Sequence, residues 1–387
     1  MIFVGIDVAK DKHDCFICYS DGSVYKDAFS FSNDRDGFNI LLSFMPEPSE
    51  NVKVGLEATG HYSLNLINFL VDNGFNPVIF NPLQINLFRK AHTLRKTKTD
   101  KTDAKLIAFM LSSSDAKPHL DLSYHVVELK SLTRYRYRLK DQLARLKISI
   151  SRIVNIIFPE LENLVYSVNQ KSTLALLHEF PSNYLIANTH LTRITNILKS
   201  NSRGKYDKSK ALEIRSAALN SIGSDSDAYR FELVQTIDLI NFYSSKIDEL
   251  DSKIKDILLE LESPILSIPG ISFNLASIIL AEIVDINKFD TPSQLQAFAG
   301  LDPATHQSGK FVASGVSMVK RGSPYLRWAL LNAARLVSMR DPSFKEYYQK
   351  KRNEGKHHFV ALTHVAKKLI RVIFKLLKTN TLFVSQV

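Results

Sequence analysis

Cysteine is nearly absent from this sequence, whose 387 residues include only Cys15 and Cys18. One pair cannot build a disulfide framework, and no second pair exists to complete a tetrahedral zinc site. The two residues lie in a run that is typical of a strand, where positions three apart point to opposite faces. We therefore expect both thiols to be packed in the core.

Long apolar runs are also missing. No stretch is long enough to span a bilayer. The start, Met1–Asp7, reads as a strand and has neither the basic residues nor the small-residue cleavage site of a signal peptide. These absences predict a cytoplasmic protein without a membrane partner.

Glycine is scarce, with 14 residues, and this bears on one class of enzyme. Gly5-Ile6-Asp7 is similar to the first phosphate loop of actin-like sugar kinases. Such a kinase needs a second glycine-rich loop, because backbone N–H groups must approach the nucleotide closely. The sequence has no second loop of that type, so a sugar kinase is disfavoured.

Basic residues are in excess, giving a net charge of +11 and a pI of about 9.4. This excess favours a polyanionic partner, either nucleic acid or an anionic membrane, although a solvated basic surface would have the same charge. The length favours two or three domains, because a single core seldom serves 387 residues.

The first hundred residues predict an α/β domain. Three strands, a helix, a strand, a helix and a strand follow one another, and Ser20-Asp21-Gly22 indicates a hairpin. This order suits a mixed sheet with helices on its faces, and the RNase H-like fold has that order. The predicted strands are Ile2–Ile6, His13–Tyr19, Ser23–Ser30, Val52–Leu56 and Pro77–Phe80, and the helices are Asn33–Met45 and Tyr62–Asn73.

The rest of the chain is predicted to be mostly helical. Val126–Ile157 and Phe231–Leu261 are long helices, and apolar residues from Ile237 onward follow a 4-3 spacing. That spacing is typical of a coiled-coil seam, and a long helix packed in a bundle explains it equally well. Residues 158–230, rich in Ser and Asn, indicate no role.

The C-terminal part predicts a small helical domain. Ile268-Pro269-Gly270-Ile271 between two helical patterns is typical of a helix-hairpin-helix element, in which N–H groups hold a phosphate. Residues 300–323 predict loops or short strands, and Lys345–Lys378 has ten Lys or Arg against two Glu. The predicted domains are 1–125, 126–262, 263–345 and a basic helical tail, 346–387.

Four carboxylates predict a metal site. Asp7 and Glu57 end the first and fourth strands, and Asp100 and Asp103 share one face at the start of a helix. Taken singly, each is explained by a turn cap, a solvated strand end or a helix N-terminal charge. Together they supply hard oxygen ligands suited to Mg²⁺ or Mn²⁺, and paired metals can hold both reacting oxygens of a phosphodiester.

Basic residues around these acids and near the C-terminus predict contacts with nucleic acid. Tyr135 and Tyr137 alternate with arginines, which suits base stacking and equally a solvated helix face. Ser308, beside a glycine in a basic loop, is able to approach a phosphorus, although taken alone it is an ordinary loop serine. The predicted contacts are Arg95, Lys96, Lys98, Lys101, Arg134, Arg136, Arg138, Gly270, Lys310, Lys320, Arg321 and Arg327.

Motifs at both ends of the chain resemble one family, the bacterial insertion-sequence transposases that include pilin-gene invertases and bridge-RNA-guided recombinases. Gly5-Ile6-Asp7-Val8-Ala9-Lys10, Gly55-Leu56-Glu57-Ala58-Thr59-Gly60 and Thr99-Asp100-Lys101-Thr102-Asp103-Ala104 resemble its DEDD, RuvC-like domain. Ile268-Pro269-Gly270-Ile271, Ala299-Gly300-Leu301, Gln307-Ser308-Gly309 and Lys320-Arg321-Gly322 resemble its C-terminal transposase domain.

This resemblance implies a DNA recombinase. Asp7, Glu57, Asp100 and Asp103 would be the metal-binding tetrad, and Ser308 would form a covalent phosphoserine link to DNA. The coiled-coil helices would join subunits into dimers and tetramers, with the acids of one subunit facing the serine of another. Some members use a structured RNA to pair with target and donor DNA. A RuvC-like nuclease that uses water and a non-enzymatic DNA-binding protein are the alternatives.

Overall fold

The computed structural model describes residues 1–57, 61–80, 82–92, 100–113, 124–303, 307–308, 311–312 and 318–385. The chain divides into two compact units, Met1–Ser123 and Tyr124–Val387. Within the described ranges, no helix is both long enough and apolar enough to cross a membrane.

The first unit is built on a mixed sheet of five strands in the order β3-β2-β1-β4-β5. The first three strands form an antiparallel meander, and the first, fourth and fifth run parallel. All five strands predicted from the sequence are confirmed, with shifted ends. They are β1 Ile2–Val8, β2 Lys12–Tyr19, β3 Val24–Ser32, β4 Val52–Glu57 and β5 Val78–Phe80.

Residues at their ends determine where the two helices between the strands begin or stop. Asp34 caps α1 (Arg35–Phe44), since its carboxylate accepts the Gly37 N–H at 2.8 Å. The second helix, α2 (Ser63–Asp72), ends just before Gly74, whose φ of 83° is readily adopted by glycine. The apolar residues of both helices pack on one face of the sheet.

The opposite face of the sheet is covered by α3 (Pro82–His92) and α4 (Asp100–Ser113). A Cβ atom at Gly5 would lie 2.2 Å from the Ala104 carbonyl oxygen, and one at Gly55 would lie 2.8 Å from a leucine of α4. Glycine therefore lets α4 lie directly on β1 and β4. Each of these glycines lies two residues before an acid of the strand motifs, Gly5 before Asp7 and Gly55 before Glu57.

Cys15 and Cys18 confirm the expectation for β2. Both are buried, and they belong to the cores on opposite faces of the sheet. Burial raises the pKa of both thiols, so neither is activated for nucleophilic or metal chemistry.

The second unit begins with two long helices and a small bundle between them. The ion pairs Lys253–Glu128 and Arg152–Glu232 show that the long helices, α5 and α11, pack antiparallel. The sequence predicted both long helices, but not the bundle in residues 158–226. The helices are α5 Tyr124–Ile157, α6 Leu161–Leu164, α7 Lys171–Glu179, α8 Asn183–Asn188, α9 Leu191–Asn201, α10 Lys208–Leu219 and α11 Asp227–Glu260.

The apolar stripe of α11 is buried inside the chain. One core contains residues of α5 together with Ile237, Ile240 and Ile247 of α11. Further along α11, Ile254 packs in a cluster with Leu129 of α5. Of the two explanations for the 4-3 spacing, the structure therefore shows the long helix packed in its own bundle. The stripe is not a free surface for joining subunits.

The C-terminal helices enclose one core. Apolar residues of α16, which lies in the predicted basic tail, pack in one core with those of α12 and α14. A two-stranded hairpin precedes α14. The elements are α12 Phe273–Ile283, α13 Pro292–Phe298, β6 Gln307–Ser308, β7 Phe311–Val312, α14 Pro324–Arg340, α15 Pro342–Asn353 and α16 His358–Thr379.

Candidate active site

Asp7 and Glu57 lie side by side at the carboxyl ends of two neighbouring parallel strands. The pairing of β1 with β4 matches Ile6 to Leu56, and the acids are the next residue in each strand. Since side chains alternate along a strand, both acids share the face of Gly5, which α4 covers. Both acids are half-buried, as suits carboxylates at the rim of a packed helix.

Asp103 is placed over the same sheet face by α4. It directly precedes Ala104, whose carbonyl oxygen lies against Gly5, and it is only 3% exposed. Its carboxylate forms an ion pair with Arg89 of α3, with 2.7 Å between Oδ1 and Nη2. The fourth predicted acid, Asp100, is the first residue of α4, and its side chain lies outside the described part.

The described side chains supply oxygen donors but not a closed metal cluster. Among them, no three His, Cys, Asp or Glu residues come close enough together to hold a metal ion. Carboxylates suit a hard divalent cation, so the chemistry of Asp7, Glu57 and Asp103 fits such an ion. Arg89 balances the charge of the most buried of these acids.

Asp14 is an acid that the sequence analysis missed. It lies directly opposite Asp7 in the antiparallel pairing of β1 with β2, and therefore on the same face of the sheet. It is 2% exposed and accepts a hydrogen bond from Ser30 Oγ at 2.6 Å. An aspartate inside a strand of buried residues was the available signal. Asp14, Asp7 and Glu57 thus follow one another across three strands.

In the second unit, the buried Glu282 joins helices through an ion pair with the partly exposed Arg134. Arg134 binds it with two hydrogen bonds, of 2.7 and 3.0 Å, and Ser323 Oγ donates a third at 2.7 Å. Burial favours the neutral acid, but these bonds and the charges of Arg134 and Lys130 outweigh it, so the pKa of Glu282 is below its usual value. Arg134 also lies over the Tyr325 ring, at 4.9 Å.

Two of the three arginines predicted to contact nucleic acid in α5 are therefore engaged within the chain. Arg136 likewise forms a two-point ion pair with Asp251 of α11. The tyrosines between these arginines are more exposed to solvent: the side chains of Tyr135 and Tyr137 are 44% and 39% exposed. Partners more than 100 residues away in sequence bind both guanidinium groups, so Arg134 and Arg136 have structural roles within the chain, and their contact with nucleic acid stays a prediction.

We expect Glu282→Gln to lower the stability of the second unit by about 2–3 kcal/mol, because Arg134 and Ser323 would lose a charged partner. The folded-state pKa of Glu282 is depressed, so its contribution exists above its ordinary pKa of 4.5 and is lost as the pH falls below that value. Calorimetric unfolding at neutral and acid pH measures this. Glu249→Gln, in an exposed pair with Lys246, is the control; an equal loss in both variants contradicts the assignment.

Two glycine turns interlock in the C-terminal domain. A Cβ at Gly300 would lie 2.3 Å from the Arg321 carbonyl oxygen, and one at Gly322 would lie 2.1 Å from that of Phe298. Both glycines have positive φ, 66° and 110°. Arg327 Nη1 donates to the Lys320 carbonyl at 3.1 Å, so Arg327 supports this loop from inside. The side chains of Lys320 and Arg321 are exposed.

Ser308 lies at the end of β6, paired with Phe311 of β7. Ser308 is the last paired residue of β6, and only Gly309 and Lys310 separate it from Phe311 in sequence. An isolated antiparallel β-bridge pairs Pro303, which precedes β6, with Met318, which follows β7. The Ser308 side chain lies outside the described part, as do Lys310, Arg95, Lys96 and Lys98.

The other predicted contacts differ in position. A Cβ at Gly270 would lie 2.9 Å from the backbone of Leu336, so this glycine serves packing against α14 and does not need a phosphate to explain it. Lys101 is exposed on the first turn of α4. Arg138 lies over the Tyr135 ring, at 5.7 Å, on the same helix.

Comparison with known families accounts for both ends of the chain. Residues 4–159 match the DEDD-type IS110 family described as transposase, and residues 262–349 match the family described as transposase IS116/IS110/IS902. The chain belongs to the IS110/IS116/IS902 family of transposases. The resemblance drawn from the motifs is thereby confirmed, and the first match includes Asp7, Glu57, Asp100 and Asp103.

Relatives that match over nearly the whole chain, and one that matches over a short part of it, agree with this family. The uncharacterized 44.8 kDa protein of insertion element IS116 from Streptomyces clavuligerus is 26% identical, over 99% of this chain and 96% of its own length. The pilin gene-inverting protein of Moraxella bovis is 24% identical, over 98% and 97%. The transposase of insertion sequence IS1111A from Coxiella burnetii is 43% identical over 18% of this chain and 19% of its own length. Transposases of this family are DNA-recombining enzymes in general.

Proposed function

We propose that this transposase cleaves and rejoins DNA through a covalent serine intermediate, assisted by Mg²⁺ or Mn²⁺. The observation that carries the proposal is the placement of Asp7 and Glu57 side by side on the face covered by α4, the helix of Asp100 and Asp103. The family match over the segment that contains Ser308 supports the second half of the site.

The first unit is proposed to be RNase H-like, or RuvC-like. Its support is the five-stranded mixed sheet with an antiparallel meander and two parallel strands, and helices on both faces. In such a sheet, acids at the carboxyl ends of the two central strands are neighbours, which is the arrangement of Asp7 and Glu57.

Asp7, Glu57, Asp100 and Asp103 are the residues that would hold the metal. A bound divalent cation would polarise the phosphodiester oxygens and lower the pKa of the attacking hydroxyl. The chain itself provides the oxygen donors and keeps them on a rigid sheet and helix, which limits the reorganisation needed for binding.

Ser308 is the proposed nucleophile. Its Oγ forms a bond to phosphorus while the bond from phosphorus to the leaving sugar oxygen breaks, and the hydroxyl proton leaves to solvent or a base. The exposed Lys320 and Arg321 are the proposed partners for the charge that develops on the phosphate. Because one phosphorus–oxygen ester bond forms for each one that breaks, the serine-linked phosphate is still a diester, and rejoining by the reverse step needs no ATP.

We expect Arg89→Gln to lower the stability of the first unit by about 2–3 kcal/mol in chelator, because the buried Asp103 carboxylate would lose its ion pair with Arg89. Adding Mg²⁺ should recover much of this loss, since the cation would replace the guanidinium. Thermal unfolding with and without metal measures the difference.

Arg145→Gln is the matched control, because Arg145 pairs with Asp141 at an exposed position. It should change stability little under either condition. If Mg²⁺ leaves the deficit of Arg89→Gln unchanged, Asp103 is not a metal ligand.

The proposed partners are DNA and further copies of the chain, assembled from dimer to tetramer. The assembly surface is not the α11 stripe, which α5 covers. A structured RNA partner is tested by sequencing the nucleic acid that co-purifies with the protein. One discrete RNA supports a guide, and random fragments support target recognition by the protein alone.

The activity itself is tested on DNA taken from both sides of the reading frame. Purified protein should cut and rejoin these strands only when a divalent metal is present. Cut strands that are never rejoined, under conditions where the metal is present, would instead support the water-dependent nuclease.

A further inference from the structure

We infer that the outer face of α16 is a binding surface for the phosphate backbone of double-stranded DNA. This inference rests on the proposed function for its choice of DNA as the partner. The surface, named here the α16 stripe, consists of Lys367, Arg371 and Lys375. It lies beyond residue 349, where the family match ends.

The stripe follows from the helical periodicity of α16. Its buried residues, from Ala361 to Leu376, occupy one side and pack in the C-terminal core. Lys367, Arg371 and Lys375 are spaced four apart, so they follow one another along the opposite side at steps of about 6 Å. The 22 residues of α16 contain no Asp or Glu. Its surface charge is therefore of one sign.

Neighbouring elements add positive charge and little negative charge. Burial lowers the pKa of His364, and the positive charges of Lys351, Lys367 and Lys356 lower it further. The acid near them, Glu354, is already paired with Lys351 at 2.9 Å.

Within the part of the chain that the structure describes, no ion pair joins an acid to the three stripe residues. Lys368 differs, because it donates to the Ser343 carbonyl at 3.2 Å and lies over the Phe344 ring. Like charges four residues apart on a helix repel each other. A polyanion would remove this repulsion.

The positive charge of the α16 stripe and the burial of the apolar side of α16 both favour DNA over a membrane surface as the partner. A helix that lies in a membrane surface must leave its apolar side free to enter the lipid, and α16 buries that side in the protein core. A row of cations at regular spacing matches the regular charge of a duplex backbone. The contact carries no sequence information, so it would position DNA without selecting the target.

The test measures binding of the full chain to a DNA duplex over a range of salt concentrations, without metal so that no cleavage occurs. Replacing Lys367, Arg371 and Lys375 together with Gln should reduce the slope of log K against log salt by about 0.9 for each lost contact. Because Gln is a good helix former, α16 should remain folded, and circular dichroism checks this.

The control replaces Lys199, Lys205 and Lys208 with Gln, an equal change of charge at exposed positions of the small bundle. Its slope should equal that of the wild type. Equal slopes for the stripe variant and the wild type overturn the inference, as does a reduced slope on duplex RNA but not on DNA. Failure of the wild type to form a serine adduct would overturn the proposed function and leave a reduced DNA slope as support for the stripe.

Discussion

Ser308→Ala should abolish both DNA cleavage and the covalent protein–DNA adduct. If the Ser308 hydroxyl attacks phosphorus, each cut strand must remain attached to the protein until it is rejoined. Alanine removes that oxygen, and nothing else on the hairpin is proposed to position water in its place. Denaturing gels before and after protease treatment measure the effect, because the wild-type adduct migrates slowly and disappears on digestion.

Ser314→Ala and Ser317→Ala are the controls, since both serines lie in the same sequence region. They should keep cleavage and adduct. Ser323 is a poor control, because its Oγ accepts the Leu326 N–H at 3.1 Å as the cap of α14 and also binds Glu282. Cleavage by Ser308→Ala without an adduct makes water the nucleophile. An adduct that moves to Ser314 keeps the domain assignment and changes only the serine.

Asp7→Asn should reduce cleavage by at least about 100-fold while DNA binding survives. Asparagine keeps the size of the side chain but removes the charge that would hold the metal. The fold should tolerate the change, because Asp7 is only half-buried and asparagine can still form hydrogen bonds at this position. Cleavage rates in Mg²⁺ and binding in chelator separate the two effects.

Asp27→Asn is the control for this loss of charge. Asp27 lies on β3 of the same sheet, with its side chain 77% exposed and paired with Lys105. Its cleavage should equal that of the wild type. The tetrad is wrong if Asp7→Asn and Asp100→Asn both retain cleavage in Mg²⁺.

The first unit could be predicted from the sequence because its signals are local. Alternating and continuous apolar runs define the strands, and Gly22, with φ of 85°, lies in the turn between β2 and β3. The motifs with Asp7 and Glu57 also show why α4 can pack close to the two acids, since the glycine two residues before each acid leaves room for this helix. Strand order then places the two acids together.

The parts that sequence did not reveal depend on distant partners. Arg134 and Glu282 are 148 positions apart, and nothing near either residue indicates that they meet. The small bundle of residues 158–226 consists of short helices whose apolar residues are few in each turn, so no single helix carries a strong periodic pattern. The α11 stripe had two explanations, and only the position of α5 decides between them.

The most direct test of the central claim is to locate the DNA linkage by mass spectrometry after tryptic digestion of the wild-type adduct. Cleavage after Lys288 and Lys310 yields one peptide, 289–310, which contains Ser293 and Ser308, while Ser314 and Ser317 fall in the next peptide, 311–320. We predict a nucleotide attached to 289–310, with fragment ions that place it on Ser308. Cut DNA without any nucleotide-bearing peptide would contradict the serine mechanism.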